Sequence, residues 1–480
     1  MRFIVPASWV LAVCLSLAGA RAHAAGDDEL AALRAALRAE LQALKNSYEA
    51  RLQALEARLR AAETARAAAP ASSPTTIAQA PTPAAAAAPE PASPTSAAPA
   101  AGAAAPASNA FNPALSLILA GAATRTSRDP ARYAITGFAV PPDAEVGPGT
   151  RGFSLGESEL AISANIDPWW RGAANIALSR DNSVAVEEAF VQTTALGSGL
   201  TFKAGRFLSG IGYLNSQHAH TWDFADAPLA YQALLGGQLG DDGVQLNWLA
   251  PTDQFIEVGL ELGRGRGFPG SDASRNGAGR ASLALHTGGD VGDSHSWRAG
   301  VSYMNSKASG QALSVLDPND TAIDSVFNGH TRTTVVDAVW KWAPNGNATR
   351  TNFKLQGEWL RSARDGSLAY DTTGVNAFGD YAQTLQGWYL QAVYQFMPHW
   401  RVGARTERLS ADAPSLAAAT LFDAQGFHPH KNTLMVDYSA SEFSRLRLQF
   451  ARDQARVGVT DNQWTLQYQM SLGAHGAHNF

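Results

Sequence analysis

Residues 462–474 read NQWTLQYQMSLGA, and the alternation in this stretch decides the fold class. One set of alternate side chains is apolar or aromatic: Trp464, Leu466, Tyr468, Met470, Leu472 and Ala474. The other set is small or polar and carries no charge: Thr465, Gln467, Gln469, Ser471 and Gly473. Because successive side chains of a strand point to opposite faces, this stretch predicts a strand with one apolar and one polar face.

The same alternation recurs throughout residues 111–480, in segments of about ten residues, which is the length of a tilted strand that crosses a bilayer. It predicts sixteen strands, near 114–123, 153–165, 170–180, 184–195, 199–208, 242–250, 255–264, 280–287, 295–305, 332–343, 351–363, 382–395, 399–410, 432–440, 443–453 and 462–474. Connections after even-numbered strands are mostly short. Most connections after odd-numbered strands are long: 124–152, 209–241, 265–279, 306–331, 364–381 and 411–431. Short turns on one side and long loops on the other are typical of bacterial outer-membrane proteins, so the sequence predicts an all-β fold, a transmembrane antiparallel β-barrel.

Composition excludes several other classes of protein. Charged residues make up 16% of the chain, against about 25% in ordinary soluble proteins. This low fraction argues against a chain of soluble globular domains. No apolar run approaches the roughly 20 residues of a membrane-spanning helix, which excludes a polytopic helical membrane protein. The net charge of −5 gives no case for a nucleic-acid partner. Since the chain has neither a nucleophile motif nor an HExxH motif, we expect no enzymatic activity.

The N-terminus has the features of an export signal. Residues 1–24 combine a basic start at Arg2, an apolar stretch and the cleavage-site pattern Ala22-His23-Ala24. Cleavage there would remove Cys14, the single cysteine, and leave a mature chain without disulfides or thiolate metal sites.

Residues 25–67 predict an α-helical coiled coil in front of the barrel. Large apolar residues recur in an eleven-residue repeat, as Leu30, Leu33, Leu37, then Leu41, Leu44, Tyr48, then Leu52, Leu55, Leu59. Such a repeat keeps one apolar stripe aligned along a nearly straight helix and favours self-association, as a dimer or a trimer. Residues 68–110, rich in alanine and proline, predict an extended linker. With an even strand count, both barrel ends and the coiled coil would lie in the periplasm, close to peptidoglycan.

Two stretches resemble a known family. FKAGRFLSGIGYLN (202–215) is similar to a strand and loop start of the phosphate-selective porin O/P-like family. HAHTWDFADAPLAYQALLGGQLGDDGVQLNWLAP (218–251) and SLGAHGAHNF (471–480) resemble outer-membrane proteins that are sometimes labelled zinc-regulated or TonB-dependent receptors. The resemblance implies a trimeric barrel, embedded among outer-membrane lipid and lipopolysaccharide, that passes small solutes without energy input. The 370 residues of the predicted barrel are too few for the roughly 22 strands of an energised transporter.

The loop 209–241 is the third on the long-loop side and is unusually apolar. We expect it to fold into the lumen and narrow the pore; the alternative is that it packs against a neighbouring barrel. The residues expected to form the constriction are Trp222, Asp223, Phe224, Asp226 and Tyr231.

Alternation also predicts which charged side chains line the lumen. The basic ones are Arg171, Lys203, Lys354, Arg401, Arg405, Arg445 and Arg447. The acidic ones include Glu157, Glu159 and Glu358. Rings of basic side chains select anions, but a wall of mixed charge leaves the ion preference open.

Two histidine pairs with i, i+2 spacing, His218 with His220 and His428 with His430, lie in long loops on the same side. They are either ordinary loop residues or ligands of one Zn²⁺ or Cu²⁺ ion, the one cofactor that the sequence suggests. The sequence thus favours an outer-membrane porin for passive diffusion. The alternatives are a zinc-linked receptor or channel that uses these histidines and a structural outer-membrane tether.

Overall fold

The first and last strands of the barrel hydrogen-bond to each other and close the sheet. In this computed structural model, β1 (Ala114–Thr126) pairs antiparallel with the last strand (Asp461–Gly473), from Ser116 opposite Gly473 to Thr126 opposite Gln463. The structure describes residues 113–156, 158–178, 183–274 and 276–473, and also Gln42. The predicted signal peptide, the linker, Glu157 and all of the predicted coiled coil except Gln42 lie outside the described residues.

Each remaining strand pairs with its neighbours in chain order. The strands after β1 are β2 (Gly152–Leu155), β3 (Ser158–Asn165), β4 (Trp170–Leu178), β5 (Val184–Thr193), β6 (Leu200–Leu208), β7 (Gly240–Leu249), β8 (Phe255–Gly263), β9 (Arg280–Val291), β10 (His295–Leu316), β11 (Ala322–Trp342), β12 (Asn352–Tyr370), β13 (Ala377–Met397), β14 (Trp400–Ala411), β15 (His430–Ser441), β16 (Ser444–Gln454) and β17 (Asp461–Gly473). Because β2 and β3 both pair with β1, they are two halves of one barrel strand. The predicted closed antiparallel barrel of sixteen strands is confirmed.

The two faces of the wall have opposite chemistry. On the outer face, large apolar side chains are exposed on strand after strand: Leu246, Leu260, Leu283, Val301, Val336, Trp359, Leu390, Val402, Leu434, Leu448 and Leu466. The alternate positions face inward and are polar and buried: Gln245, Glu261, Ser282, Ser302, Thr333, Gln356, Gln391, Arg405, Thr433, Gln449 and Gln469. An apolar exterior around a polar interior is the arrangement of a barrel whose solvent is lipid. In the described part of the chain, no helix is long and apolar enough to cross a membrane.

The prediction of long loops at 306–331 and 364–381 was wrong. Strands β10, β11, β12 and β13 are 22, 21, 19 and 21 residues long, and their connections span only 317–321 and 371–376. The apolar pattern changes phase along these strands. In β12, Trp359 points outward, but toward the end of the strand the buried apolar residues are Leu368 and Tyr370, which point inward. The outward positions there are polar, so a search for an apolar outer face reads these segments as loops.

The inward apolar residues of the extended strands form a core above the predicted membrane region. Leu313, Phe327, Leu368 and Tyr381 pack there with Phe422 of the loop between β14 and β15. The aromatic rings of Phe327 and Tyr381 meet edge to face, 5.6 Å apart. This core explains why the two hairpins of β10 with β11 and β12 with β13 stay paired beyond the length that a bilayer requires.

We predict that Leu246→Arg, on the outer face of β7, destabilises the barrel by about 2–4 kcal/mol, because it places a charge near the middle of the lipid-facing surface. The matched control is Asn247→Arg, one residue along the strand on the lumen face. Urea unfolding in lipid vesicles, followed by tryptophan fluorescence, measures both variants. Equal destabilisation of the two would contradict the assignment of the faces.

Candidate functional site

The third loop, here residues 209–239, contains one α-helix that lies among inward-facing side chains of the wall. Helix α1 (Leu229–Leu235) begins after Pro228 and ends at Gly236, whose φ of 71° suits glycine. All of its side chains are buried. They pack in an apolar cluster with wall residues that include Leu360, Leu385, Tyr389 and Leu409. The apolar character of this loop is therefore explained by packing on the inner face of β12 to β14.

Glu358 of β12 accepts four hydrogen bonds, three of them from the third loop. Its carboxylate accepts from the backbone N–H groups of Tyr213 and Leu214, at 3.2 and 2.9 Å. It also accepts from the hydroxyls of Tyr231 in α1 and Tyr389 in β13, at 2.9 and 2.5 Å. A buried carboxylate needs several such donors, because burial without partners is costly. Glu358 therefore fixes both the start of the loop and its helix.

Two aspartates of the third loop form ion pairs with basic side chains of the barrel wall, on the same side as Glu358. Asp223 accepts hydrogen bonds from Lys354 Nζ at 2.9 Å and from Arg401 Nη1 at 3.2 Å. Asp226 accepts one from Arg405 Nη2 at 2.8 Å and also pairs with Lys431. These contacts span strands β12, β14 and β15, so they attach the middle of the loop to a broad part of the wall.

The charges around these aspartates keep them ionised. Burial alone would raise the pKa of the Asp223 carboxyl, but Lys354 and Arg401 hold that pKa well below its usual range. Arg405 and Lys431 oppose burial in the same way and lower the pKa of Asp226. Both residues therefore enter the network as carboxylates at neutral pH.

Several residues expected to face the water-filled lumen are instead buried in this network. Arg405 and Arg447 are 3% and 1% exposed. Arg447 donates to the Trp222 carbonyl oxygen at 3.0 Å, and Arg405 lies over the Phe224 ring at 4.7 Å from its centroid. The predicted constriction residues Trp222, Phe224 and Tyr231 are likewise buried against the wall. Asp223 and Asp226, which were also expected to form the constriction, are balanced by cations.

The first part of the loop reaches the opposite side of the barrel, at β3 and β5. His218 Nδ1 lies 3.4 Å from Glu159 Oε2 and 3.1 Å from Glu187 Oε2. Its Nε2 lies 3.0 Å from Glu188 Oε2. Burial alone would lower the pKa of His218, but the three carboxylates beside its ring raise it to about 12. The imidazole ring of His220 stacks on that of His218, with centroids 5.6 Å apart.

The structure does not bring the four predicted histidine ligands together. His430 contacts the carbonyl oxygen of His428 and the side chain of Gln454. Among the described residues, the histidine and carboxylate atoms that converge on one point belong to Glu159, Glu187 and His218. Sequence reasoning included Glu159 and His218 but missed Glu187 and Glu188. Glu187 could not be placed beside Glu188, because adjacent residues of a regular strand point to opposite faces.

Basic side chains lie in the lumen near the short turns. Those that remain at least partly exposed are Arg171, Lys203, Arg298, Lys341, Lys354, Arg401 and Arg445. Each is within a few residues of a short connection between strands. Arg298 and Lys341 were missed from the sequence, although alternation along β10 and β11 places both on the polar face. Near β14 to β16, Asp223 and Asp437 are surrounded by four cations, namely Lys354, Arg401, Arg445 and Arg447. Positive charge is in excess around these two aspartates.

Comparisons with known proteins identify one relative by sequence. An uncharacterized protein of Aquifex aeolicus (strain VF5) is 30% identical over 356 residues, which cover 69% of this chain and 70% of that protein. The chain belongs to the same family as this protein. No protein-family model matches the chain.

Solved structures with a similar arrangement are outer-membrane proteins, with low scores. A loop L8 deletion mutant of OmpT, an outer membrane protein of Vibrio cholerae, has a TM-score of 0.47 at 12% identity, covering 76% of this chain and 100% of that one. The outer membrane channel DcaP of Acinetobacter baumannii has a TM-score of 0.46 at 11% identity, covering 75% and 97%. An anion-selective porin from Comamonas acidovorans has a TM-score of 0.45 at 12% identity, covering 75% and 99%.

We predict that Glu358→Ala loosens the third loop, because four buried donors lose their acceptor, at a cost of roughly 2–5 kcal/mol. Limited proteolysis of the refolded barrel should cut the loop faster, and urea should unfold the variant at a lower concentration. The matched control is Glu257→Ala, a partly exposed lumen glutamate of β8. If the two variants behave alike, Glu358 is not the anchor of the loop.

Proposed function

We propose that this member of the family is an outer-membrane porin, a passive diffusion pore for small solutes. The observation that carries the proposal is the closed barrel with an apolar exterior and a polar, charged interior. A protein whose role was purely to anchor would not require an inner wall of so many buried ionic groups, which are costly unless they are paired. Closed barrels of this kind are known from outer membranes, and the predicted export signal agrees with that location.

In this proposal the third loop narrows the pore. Its contacts run from Glu159 and Glu188 on one side to Glu358, Arg405 and Arg447 on the other, so it crosses the barrel interior. The ion pairs are buried and join loop to wall, which favours a fixed constriction over a mobile lid. Water and solutes would pass along the partly exposed polar wall.

The same structure supports a preference for anions. The basic side chains near the short turns stay partly exposed, while Glu358, Glu407 and Asp437 are buried and already hold donors. Rings of basic side chains raise the local concentration of anions and lower the barrier to their passage. Since short turns face the periplasm in barrels of this class, the basic region would lie at the periplasmic end.

Single-channel conductance in a planar bilayer under a salt gradient tests this proposal. We expect steady steps of current through open channels without any energy source. The sign of the reversal potential should indicate a preference for anions. The double variant Arg171→Glu/Arg298→Glu should move the reversal potential toward cations, because both side chains lie on the lumen face near short turns.

The matched control is Arg408→Glu/Arg452→Glu, which changes the net charge by the same amount at two exposed positions on the outer face. It should leave the reversal potential close to that of the natural chain. A barrel that never conducts would refute the porin proposal and favour the tether. If the barrel conducts but both double variants shift the reversal potential equally, the proposal that the basic region selects anions is refuted, and the porin proposal stands.

We also propose that the protein is a homotrimer, assembled through the predicted periplasmic coiled coil, next to peptidoglycan and surrounded by outer-membrane lipid and lipopolysaccharide. The eleven-residue repeat of residues 30–59 supports self-association.

Deleting residues 27–67 should therefore lower the oligomeric state measured by light scattering in detergent, while conductance of the barrel persists. A control deletion of 74–100, within the linker, should leave the trimer intact. A trimer that survives the first deletion would assign assembly to the barrel itself.

A further inference from the structure

Five side chains around the start of the third loop are arranged like a metal site. The donor atoms of Glu159, Glu187 and His218 all lie within 4.8 Å of one another. His218 Nδ1 is 3.1 Å from Glu187 Oε2 and 3.4 Å from Glu159 Oε2. Ligands bound to Zn²⁺ at 2.0–2.2 Å in a tetrahedron lie about 3.3–3.5 Å apart. The two distances from His218 Nδ1 are thus close to the spacing that such an ion imposes.

A second imidazole lies beside Glu159, at the edge of this group. His220 Nδ1 lies 3.1 Å from Glu159 Oε2, on the ring that stacks against His218. Glu159 Oε2 is therefore approached by two imidazole nitrogens. It is buried and takes part in no hydrogen bond of good geometry, although both nitrogens are close. An oxygen between two imidazoles, aligned with neither N–H, is suited to share an ion with them.

Backbone geometry explains how β5 supplies two carboxylates to one point. The register between β4 and β5 shifts after Asn175, which pairs with Glu188, whereas Ile176 pairs with Val186. Glu187 is thus the extra residue of a β-bulge. A bulge re-aims a side chain that would otherwise point to the opposite face, and bulges are common beside functional sites. Without it, Glu187 would point into lipid.

The remaining glutamate occupies the position of an orienting group. Glu188 Oε2 lies 3.0 Å from His218 Nε2, the ring nitrogen on the far side from Glu187, and accepts from Asn175 Nδ2 at 3.2 Å. Histidines that bind metals usually donate their other N–H to a carboxylate, which fixes the tautomer and the ring orientation. Both nitrogens of His218 therefore have the partners that a zinc-bound histidine has.

We propose that Glu159, Glu187 and His218 bind a Zn²⁺ ion, with His220 as the fourth ligand. A set of two carboxylates and two imidazoles suits this borderline-soft ion. The ion replaces the proton between His218 Nδ1 and the carboxylates, and that proton leaves to solvent. Because its ligands come from β3, β5 and the third loop, the ion would join the loop to the wall opposite Glu358. The site does not depend on whether the barrel conducts.

Titration of the refolded full-length chain with Zn²⁺, in competition with a chromophoric chelator, tests the proposal. We expect saturable binding of one ion per chain. Glu187→Gln removes a ligand while keeping the shape of the side chain and should abolish tight binding. Glu188→Gln should weaken binding by about 10- to 100-fold, the effect of losing the carboxylate that orients a histidine ligand. Co²⁺ bound at the same site should show the visible absorption of a four- or five-coordinate ion, lost in Glu187→Gln.

The matched control is His428→Ala/His430→Ala, which removes two histidines outside the cluster. It should bind Zn²⁺ like the natural chain. Heat-modifiable migration in gels shows that each variant forms a barrel, so loss of binding cannot be attributed to misfolding. The proposal is overturned if the natural chain does not bind Zn²⁺ saturably, or if Glu187→Gln binds as tightly as the natural chain. It is also overturned if the control variant, and not Glu187→Gln, loses binding.

Discussion

Every backbone N–H and C=O group that lies within a bilayer must have a partner inside the protein, because lipid offers none. A sheet meets this requirement only when it has no edge, and here the pairing of β1 with β17 removes the edge. The alternation of side chains then follows: one face of each strand contacts lipid and the other encloses a lumen. An enclosed lumen collects polar side chains, and these must be hydrated or paired. The third loop supplies much of that pairing.

The lumen divides into regions by how its charges are satisfied. Around α1, Glu358 and the pair of Arg405 with Asp226 are buried and bonded, so the loop is held as part of the wall. Nearer the short turns, cations outnumber the carboxylates that face them, and side chains such as Arg401 stay partly exposed. In the proposed pore, the first region would form the constriction, and the second would set the charge along the passage that remains. The glutamates around His218 form a third, acidic region on the opposite side.

The barrel could be predicted from sequence because lipid requires an apolar side chain at every second position of a strand, as at Trp464 and Leu466. The lengths of the connections add an independent test. The rule fails above the membrane, where Leu368 and Tyr370 turn inward and the outer face becomes polar. Long-range pairs were beyond sequence reasoning: Asp226 and Arg405 are 179 residues apart, and nothing local couples them. The cluster at His218 depends on a bulge opposite Asn175, and no residue of β5 indicates this bulge in the sequence.

The central claim is that the loop-filled barrel still leaves a continuous aqueous passage. Swelling of liposomes that contain the refolded protein, in isotonic solutions of uncharged sugars of increasing size, tests it most directly. The account predicts swelling with the smallest sugars, no swelling above a sharp size limit, and a higher limit in Glu358→Ala, where the loop loses its anchor. Liposomes that fail to swell with any sugar, for the natural chain and for Glu358→Ala alike, would contradict it.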